Sequence, residues 1–383
     1  MNNVSSSLCR RLRTVFLQKP TSATATATAV ETTSGEQRIQ KLVKQFKEKS
    51  NFSRFRGQRI VYKTTVRRLA KGGHFSYIHE ILNHQKLYPD IKDENFIARL
   101  ICLYGQAKML DHALQLFDQM PELNCPRTVL SFNALMAACF PSKSFNKVVE
   151  LFQELPGKLS VKPNVISYTS VIRAFCQMGS LDTAMSMLGD MEKNDVEPNA
   201  VTFNTLLGAF YKSGRFSEAE NLWSLMEEKR VIPDLRCYNS RLHGMVKEKR
   251  LSEALDVFKE LEEKGLKPNN YTYNTVIKGF VNEGNLDEVK KWYAAMVERE
   301  CGPDFVTFMT LIPFACDNND IDFAYELCKK SAGLKNKIPG VIIQKVIHEL
   351  IKHSKVEEAK ELFKLGRSKS GLVLDNQSLS AGD

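Results

Sequence analysis

Apolar residues along this chain recur as paired helical stripes, and the pairing repeats every 35 residues. In 200–234 the first stripe is Phe203, Leu206, Leu207 and Phe210, spaced for one face of a helix near Thr202–Lys212. Ser213-Gly214-Arg215 then breaks the pattern, with Gly214 placed as a C-cap. A second stripe, Ala219, Leu222, Trp223 and Met226, predicts a helix near Ser217–Glu228. Ser217 is its expected N-cap, and Glu220, three places on, completes a capping box. Pro233 stops the chain before the next unit. The aromatic returns as Tyr168, Phe203, Tyr238 and Tyr273, the central alanine as Ala184, Ala219 and Ala254, and the proline as Pro198, Pro233, Pro268 and Pro303. Gly179 and Gly284 match the break at Gly214. A strict period of this length means stacked supersecondary units rather than one compact core.

Working outward from the clearest copies, the units run 59–93, 94–128, 129–164, 165–199, 200–234, 235–269, 270–304, 305–339 and 340–374. The third holds one extra residue, within Leu155–Leu159. Two helix–turn–helix families have nearly this period. Tetratricopeptide repeats run at 34 with small residues at two contact positions. Here those positions hold Met136, Ile172, Leu207, Leu242 and Ile277, and Leu155, Met191, Met226, Leu261 and Met296. Period and contacts both point elsewhere. The string Val201-Thr202-Phe203-Asn204-Thr205-Leu206-Leu207, with Tyr211-Lys212-Ser213-Gly214-Arg215 and the closing Ile232-Pro233-Asp234, resembles the pentatricopeptide repeat consensus, and the likeness extends over 59–374. The uniform length resembles the P-class of plant organelles. The resemblance implies an all-α, right-handed α-solenoid of about nine 35-residue repeats.

It also implies single-stranded RNA binding at about one base per repeat. In the resemblance the reading residues are the fifth and the last of each unit. Here those are Asn133 with Asn164, Thr169 with Asn199, Asn204 with Asp234, Asn239 with Asn269, and Asn274 with Asp304. By the family's code they imply C, A, U, C, U from 5′ to 3′. An amide carries donors and an acceptor for a pyrimidine edge, and a small hydroxyl leaves room for a purine. The competing reading of an Asn after the aromatic is a helix N-cap. Leu130, Ile166, Val201 and Tyr271 are the expected base-sandwiching residues, with Arg236 breaking that series. Lys71, Lys212 and Lys247 fall where a lysine meets phosphate, whereas Gln106, Pro141, Gln177, Asn282 and Asp317 do not match. The outer pairs, Lys63 with Asp93, Ala98 with Thr128 and Met309 with Pro339, are not code combinations, so those units are expected to cap the stack.

Charge changes the picture at one end only. The net charge is +10, of which residues 1–35 carry +3 and residues 36–59 carry +6, leaving +1 thereafter. The first thirty residues hold no acid and place Arg10, Arg11 and Arg13 beside Leu8, Leu12, Val15, Phe16 and Leu17, the profile of an organelle transit peptide. Residues 1–35 are therefore read as a disordered transit segment, for mitochondria before plastids. Residues 36–58 are read as a basic helical arm with Ile39, Leu42, Val43 and Phe46 on one face. Lys41, Lys44 and Lys47 make it a phosphate-binding arm, an N-terminal cap on the first repeat, or both. Residues 375–383 are expected to be a disordered tail.

Nothing in the sequence resembles catalytic apparatus. The deaminase pattern H-x-E with P-C-x-x-C and the phosphate loop are missing, and no nuclease-like domain follows the repeats. His74, His79 and His84, five apart, spread around a helix instead of sharing a metal-binding face. Of the nine cysteines none lie two or three apart, which excludes a zinc-type pair and fits reduced thiols on apolar faces. No cofactor, membrane or small-molecule substrate is expected. Five readable units specify about one site in 10³, too few to address one transcript unaided. Two function classes follow: an RNA binder acting on mitochondrial mRNA or rRNA, and a structural component of the mitochondrial ribosome contacting rRNA and ribosomal proteins. A protein–protein scaffold is the third reading.

Overall fold

The computed structural model describes residues 28–334 and 338–370, and every element in them is helical. The chain divides at Ser144/Phe145 into two compact units. The first holds α1 (Thr28–Ser50), α2 (Ser53–Arg56), α3 (Arg59–Lys71), α4 (Phe75–Asn83), α5 (Glu94–Gln106), α6 (Leu110–Asp118) and α7 (Val129–Cys139). The second holds α8 (Phe145–Leu159) and six hairpins: α9 (Val165–Met178) with α10 (Leu181–Lys193), α11 (Ala200–Ser213) with α12 (Phe216–Glu228), α13 (Leu235–Lys247) with α14 (Leu251–Glu263), α15 (Asn270–Glu283) with α16 (Leu286–Glu298), α17 (Phe305–Asp317) with α18 (Ile321–Ser331), and α19 (Gly340–Lys352) with α20 (Val356–Ser370). The first helices α9 to α19 begin 35 residues apart, and so do the second helices α10 to α20. The all-α stack of helix–turn–helix units read from the sequence is the architecture found. The extra residue falls where α8 runs for 15 residues with Pro156 inside it.

In the second unit each first helix packs on its own second helix and on the first helix of the next hairpin. The predicted apolar positions form this core. Phe203, Tyr238 and Tyr273 are buried, as are Ala184, Ala219 and Ala254, and Met191, Met226, Leu261 and Met296. Val289, Ala324 and Ala359 continue the central small position with no exposed surface. Large residues wedge between helices while small ones let the axes approach, so the hairpin seam stays dry.

Each hairpin turns on a left-handed residue. Gly179, Gly214 and Gly284 hold φ of 73–81° there, and Lys249, Asn319 and Ser354 hold φ of 56–61° at the same place in their repeats. The amide after each closes a six-residue ring onto the preceding helix, as from Arg215 to the Phe210 carbonyl at 3.0 Å and from Arg250 to the Met245 carbonyl at 2.9 Å. A second left-handed residue follows α10, α12, α14 and α16, at Asp195, Arg230, Gly265 and Glu300. The capping box read at Ser217 is not formed. Arg215 occupies the N-cap without a side-chain bond, and Ser217 lies inside α12. Glu220 is drawn instead into pairing with Tyr211 and Arg241, whose Nη2 lies 2.7 Å from its carboxylate.

The first unit is closed at its start by α1. Val43 and Phe46 are buried, and the Phe46 ring meets Phe55 at 5.1 Å and Tyr62 at 4.8 Å, both edge-on. Arg56 is buried with its guanidinium 2.6 Å from Asp90 and donating to the Ser50 carbonyl at 2.7 Å. The helix begins at Thr28, so it crosses the boundary read at 35/36. Residues 1–27 and 371–383 lie outside the described residues, and with them most of the expected transit segment and the tail. Further on, α5 and α7 approach so closely that a Cβ on Gly105 would meet the Ala138 Cα at 2.4 Å.

Candidate RNA interface

The last residue of each repeat is the N-cap of the next first helix. Asn164, Asn199, Asp234, Asn269 and Asp304 all hold extended backbone and accept amide protons of the following turn. Asn199 Oδ1, for example, receives the Val201 and Thr202 N–H groups at 3.0 and 3.1 Å. Such a cap satisfies donors the helix cannot, and a carboxylate or amide oxygen favours the positive helix end. The Asn after the aromatic is therefore not the cap, because it lies one turn inside the helix and its side chain is left for other work.

That work is visible in the second unit. Asn239 Oδ1 accepts from the Thr272 hydroxyl at 2.8 Å, and Asn274 Oδ1 accepts from Thr307 at 2.8 Å. Thr169 and Thr202 share a hydrogen bond of 2.9 Å. Thr202, Thr272 and Thr307 each stand at the third position of a first helix, beside its N-cap. A single hydroxyl thus joins the fifth residue of one repeat to that repeat's last residue: Thr169 to Asn199, Asn239 to Asn269, Asn274 to Asp304. Asn274 Nδ2 also donates straight to Asp304 Oδ1 at 3.1 Å. The third position of α13 is Cys237, whose thiol turns to the Ala200 carbonyl, and Asn204 Oδ1 accepts from Ser240 at 2.9 Å instead. Asn133 is buried in the first unit, so its pair with Asn164 is divided between the two units.

Ile166, Val201 and Tyr271 stand out of the second unit with half or more of their surface exposed, and Leu130 does so less in the first. Val306 and Val341 continue the series at the second position of α17 and α19 and are exposed too. Sequence reading passed over them, although the 35-residue step from Tyr271 leads to both. Between Ile166 and Val201 lies a cavity of about 210 Å³. Its walls include Thr169, Arg173 and Asn199, so two apolar side chains flank the pair expected to read a base.

The expected phosphate lysines are less uniform. Lys71, Lys212 and Lys247 lie in the last turns of α3, α11 and α13 and are exposed, but Lys247 Nζ is held 2.7 Å from the Lys212 carbonyl. Lys41 and Lys44 are exposed on α1, while Lys47 pairs with Glu80 at 2.6 Å. Of the three histidines, His79 approaches Tyr104 and His112, its ring 4.6 Å from that of His112. Burial pushes the Cys237 and Cys328 thiols up to about 12. Among the described residues no group of three or more His, Cys, Asp or Glu is placed to hold a metal, and no helix is long and apolar enough to cross a membrane.

The model of the PPR repeat family matches 127–177, 163–212, 198–245, 233–282 and 271–317, and that of the PPR repeat matches 99–125. The chain belongs to the pentatricopeptide repeat family. The family assignment covers the units whose N-caps and hydroxyl bridges are described above. Among its relatives is the small ribosomal subunit protein mS78 (rPPR3a) of Arabidopsis thaliana, 46% identical over 41% of this chain and 40% of that protein. Another is a mitochondrial pentatricopeptide repeat-containing protein of Arabidopsis thaliana, 44% identical over 35% of this chain and 32% of the relative. These matches thus span about two fifths or less of each relative's length. The solved structure of the pentatricopeptide repeat protein PPR10 from maize aligns with a TM-score of 0.44 at 20% identity, over 87% of this chain and 52% of that one.

Proposed function

We propose that this chain is a P-class pentatricopeptide repeat protein of plant mitochondria that binds single-stranded RNA and catalyses nothing. The observation that carries the reading is the slot between Ile166 and Val201, with Thr169 and Asn199 in its walls. Apolar side chains on both faces of a slot accept a nucleobase through dispersion and desolvation, whatever its identity. The hydroxyl and amide at its floor then discriminate by hydrogen bonding. The apolar second position recurs as Val201, Tyr271, Val306 and Val341 on α11, α15, α17 and α19, with Arg236 of α13 as the exception, and so supports about one base per 35-residue unit. The test is selection from randomised RNA with the protein and its Thr169→Asn variant. The expected result is A→C at one position of the selected sequence. A uniform fall in binding with no change of letter overturns base reading at this pair.

A second reading has its own support. The relative mS78 is named a small ribosomal subunit protein and shares 46% identity over the matched stretch. We infer that the chain serves as a stable component of the mitochondrial small ribosomal subunit, contacting rRNA and proteins, with its basic helix α1 on phosphate. Density-gradient sedimentation of mitochondrial extract, with and without ribonuclease, separates the two. Co-sedimentation with the small subunit at high salt supports the ribosomal reading. Sedimentation in light, ribonuclease-sensitive particles removes it.

A further inference from the structure

A second cavity, of about 300 Å³, lies among α8, α9 and α10. Val149 and Phe152 line it from α8, Tyr168, Val171 and Phe175 from α9, and Met187 and Asp190 from α10. The chain contains its own key to this space. Three repeats later the corresponding residues are Leu255, Phe258, Tyr273, Val276, Phe280 and Trp292. The framework is the same in both places. Phe152 meets Tyr168 edge-on at 5.1 Å and 72°, and Phe258 meets Tyr273 edge-on at 5.6 Å and 67°. In the later repeat the Trp292 ring fills the space, edge-on to Phe258 at 4.9 Å and stacked with Phe280 at 6.2 Å. In the earlier one the narrower Met187 stands at that position and the space is open.

The geometry points to a docking site for a tryptophan side chain of a partner protein between Phe152, Phe175 and Met187. The walls are those that hold Trp292, so a planar bicyclic ring fits edge-on to Phe152 and against Phe175. Methionine adapts its shape and makes favourable sulfur contacts with aromatic edges. Asp190 also lines the space, where the later repeat has Ala295, and its Oδ1 pairs with Lys193 at 3.2 Å. A carboxylate oxygen there can accept an indole N–H, and the ring that the equivalent walls hold in this chain is a tryptophan, which favours a protein ring over a stacked nucleotide. The chain already uses that pairing once, with Trp223 Nε1 donating to Glu227 at 3.1 Å. The site does not depend on the RNA reading.

The test is a titration of the full chain, with its methionine methyls isotopically labelled, against N-acetyl-tryptophanamide. The Met187 signal is assigned through Met187→Leu. The expected result is a saturable shift of that signal with a dissociation constant of about 1 mM, as befits a single side chain. N-acetyl-leucinamide should leave it in place, and Asp190→Ala should weaken binding about fivefold. Met187→Trp should fill the cavity and raise the melting temperature. A non-saturating response at tenfold higher probe overturns the proposal, as does an equal response to leucinamide. A tighter response to adenosine than to the tryptophan probe reassigns the pocket to nucleobases and equally overturns it. The wild-type titration decides the matter even where a variant fails to fold.

Discussion

The Thr272 hydroxyl offers a quantitative check on how the repeats hold their candidate reading residues. It accepts the Asn269 N–H at 3.1 Å and has one proton to give. That proton goes to Asn239 Oδ1 at 2.8 Å, since Asn269 Oδ1 lies farther off, at 3.1 Å, and already receives the Thr272 amide. Thr272→Val removes both bonds with almost no change of shape. Thr272 is fully buried and Asn239 is 8% exposed, so the amide oxygen of Asn239 is stranded, while Asn269, at the surface, regains water. A net bond is worth about 1 kcal/mol and a stranded buried acceptor costs about 1–3, which sets the loss near ~2 kcal/mol. In a stack of repeats the loss stays local to its seam. Amide exchange in the first turns of α15 should therefore accelerate about 30-fold, with α19 and α20 unchanged. With Asn239 free to rotate, RNA selected by the variant should lose its pyrimidine preference at one position and keep its neighbours. Thr64→Val is the control: its exposed hydroxyl returns only to the Ile60 and Val61 carbonyls of its own helix, so the change should stay within about 0.5 kcal/mol. Unchanged exchange together with an unchanged base preference would refute the idea that this hydroxyl orients Asn239.

Lys249 holds a left-handed turn with φ of 61°, so Lys249→Gly should stabilise the protein by about 1 kcal/mol in thermal unfolding; no gain would show that the side chain compensates for its backbone. Glu94 caps α7, accepting the Thr128 and Ser131 amides at 2.8 and 3.1 Å. Burial raises its carboxyl, but these hydrogen bonds outweigh it and hold the group below its usual range. A depressed carboxylate adds stability above its unfolded pKa of about 4.3 and loses it as pH falls through the folded value. Glu94→Gln should thus cost about 1 kcal/mol at pH 7 and nothing once pH is well below 4, and a pH-independent deficit would contradict the assignment. Lys41 and Lys44 are exposed on α1, whose buried face is Val43 and Phe46; replacing both lysines with Gln should flatten the salt dependence of RNA or ribosome binding by about 0.7 per contact and leave the melting temperature alone. Unchanged slopes with a lowered melting temperature would leave α1 as a cap only.

Side chains that pack announce themselves by periodicity, which is why the aromatic, the alanine and the late apolar position could be placed from sequence to within a residue. Backbone demands are quieter. Gly214 marks its turn openly, whereas Lys249 and Arg230 adopt the same left-handed conformation with nothing in their chemistry to signal it. Ser217 misled for a related reason: a serine three residues after a glycine looks like a cap, yet the helix had already begun at Phe216. The candidate reading residues were legible through the resemblance, but their wiring was not. Thr202, Thr272 and Thr307 look like ordinary polar residues before an aromatic, and only three dimensions show each one tied to a residue 33 positions earlier.

Because each repeat's last residue is also the N-cap of the next first helix, a groove that read bases through that residue could not spell with a full alphabet. Only Asn, Asp, Ser and Thr cap a helix well, and replacing such a cap with alanine costs about 1 kcal/mol. Asn164, Asn199, Asp234, Asn269 and Asp304 all come from that short set. Changes within it leave the masonry intact, whereas a letter outside it loosens the course above. The vocabulary open to a redesigned groove is thus set at one position by what holds the wall up, and greater variety must come from the fifth residue, which is not itself a helix cap.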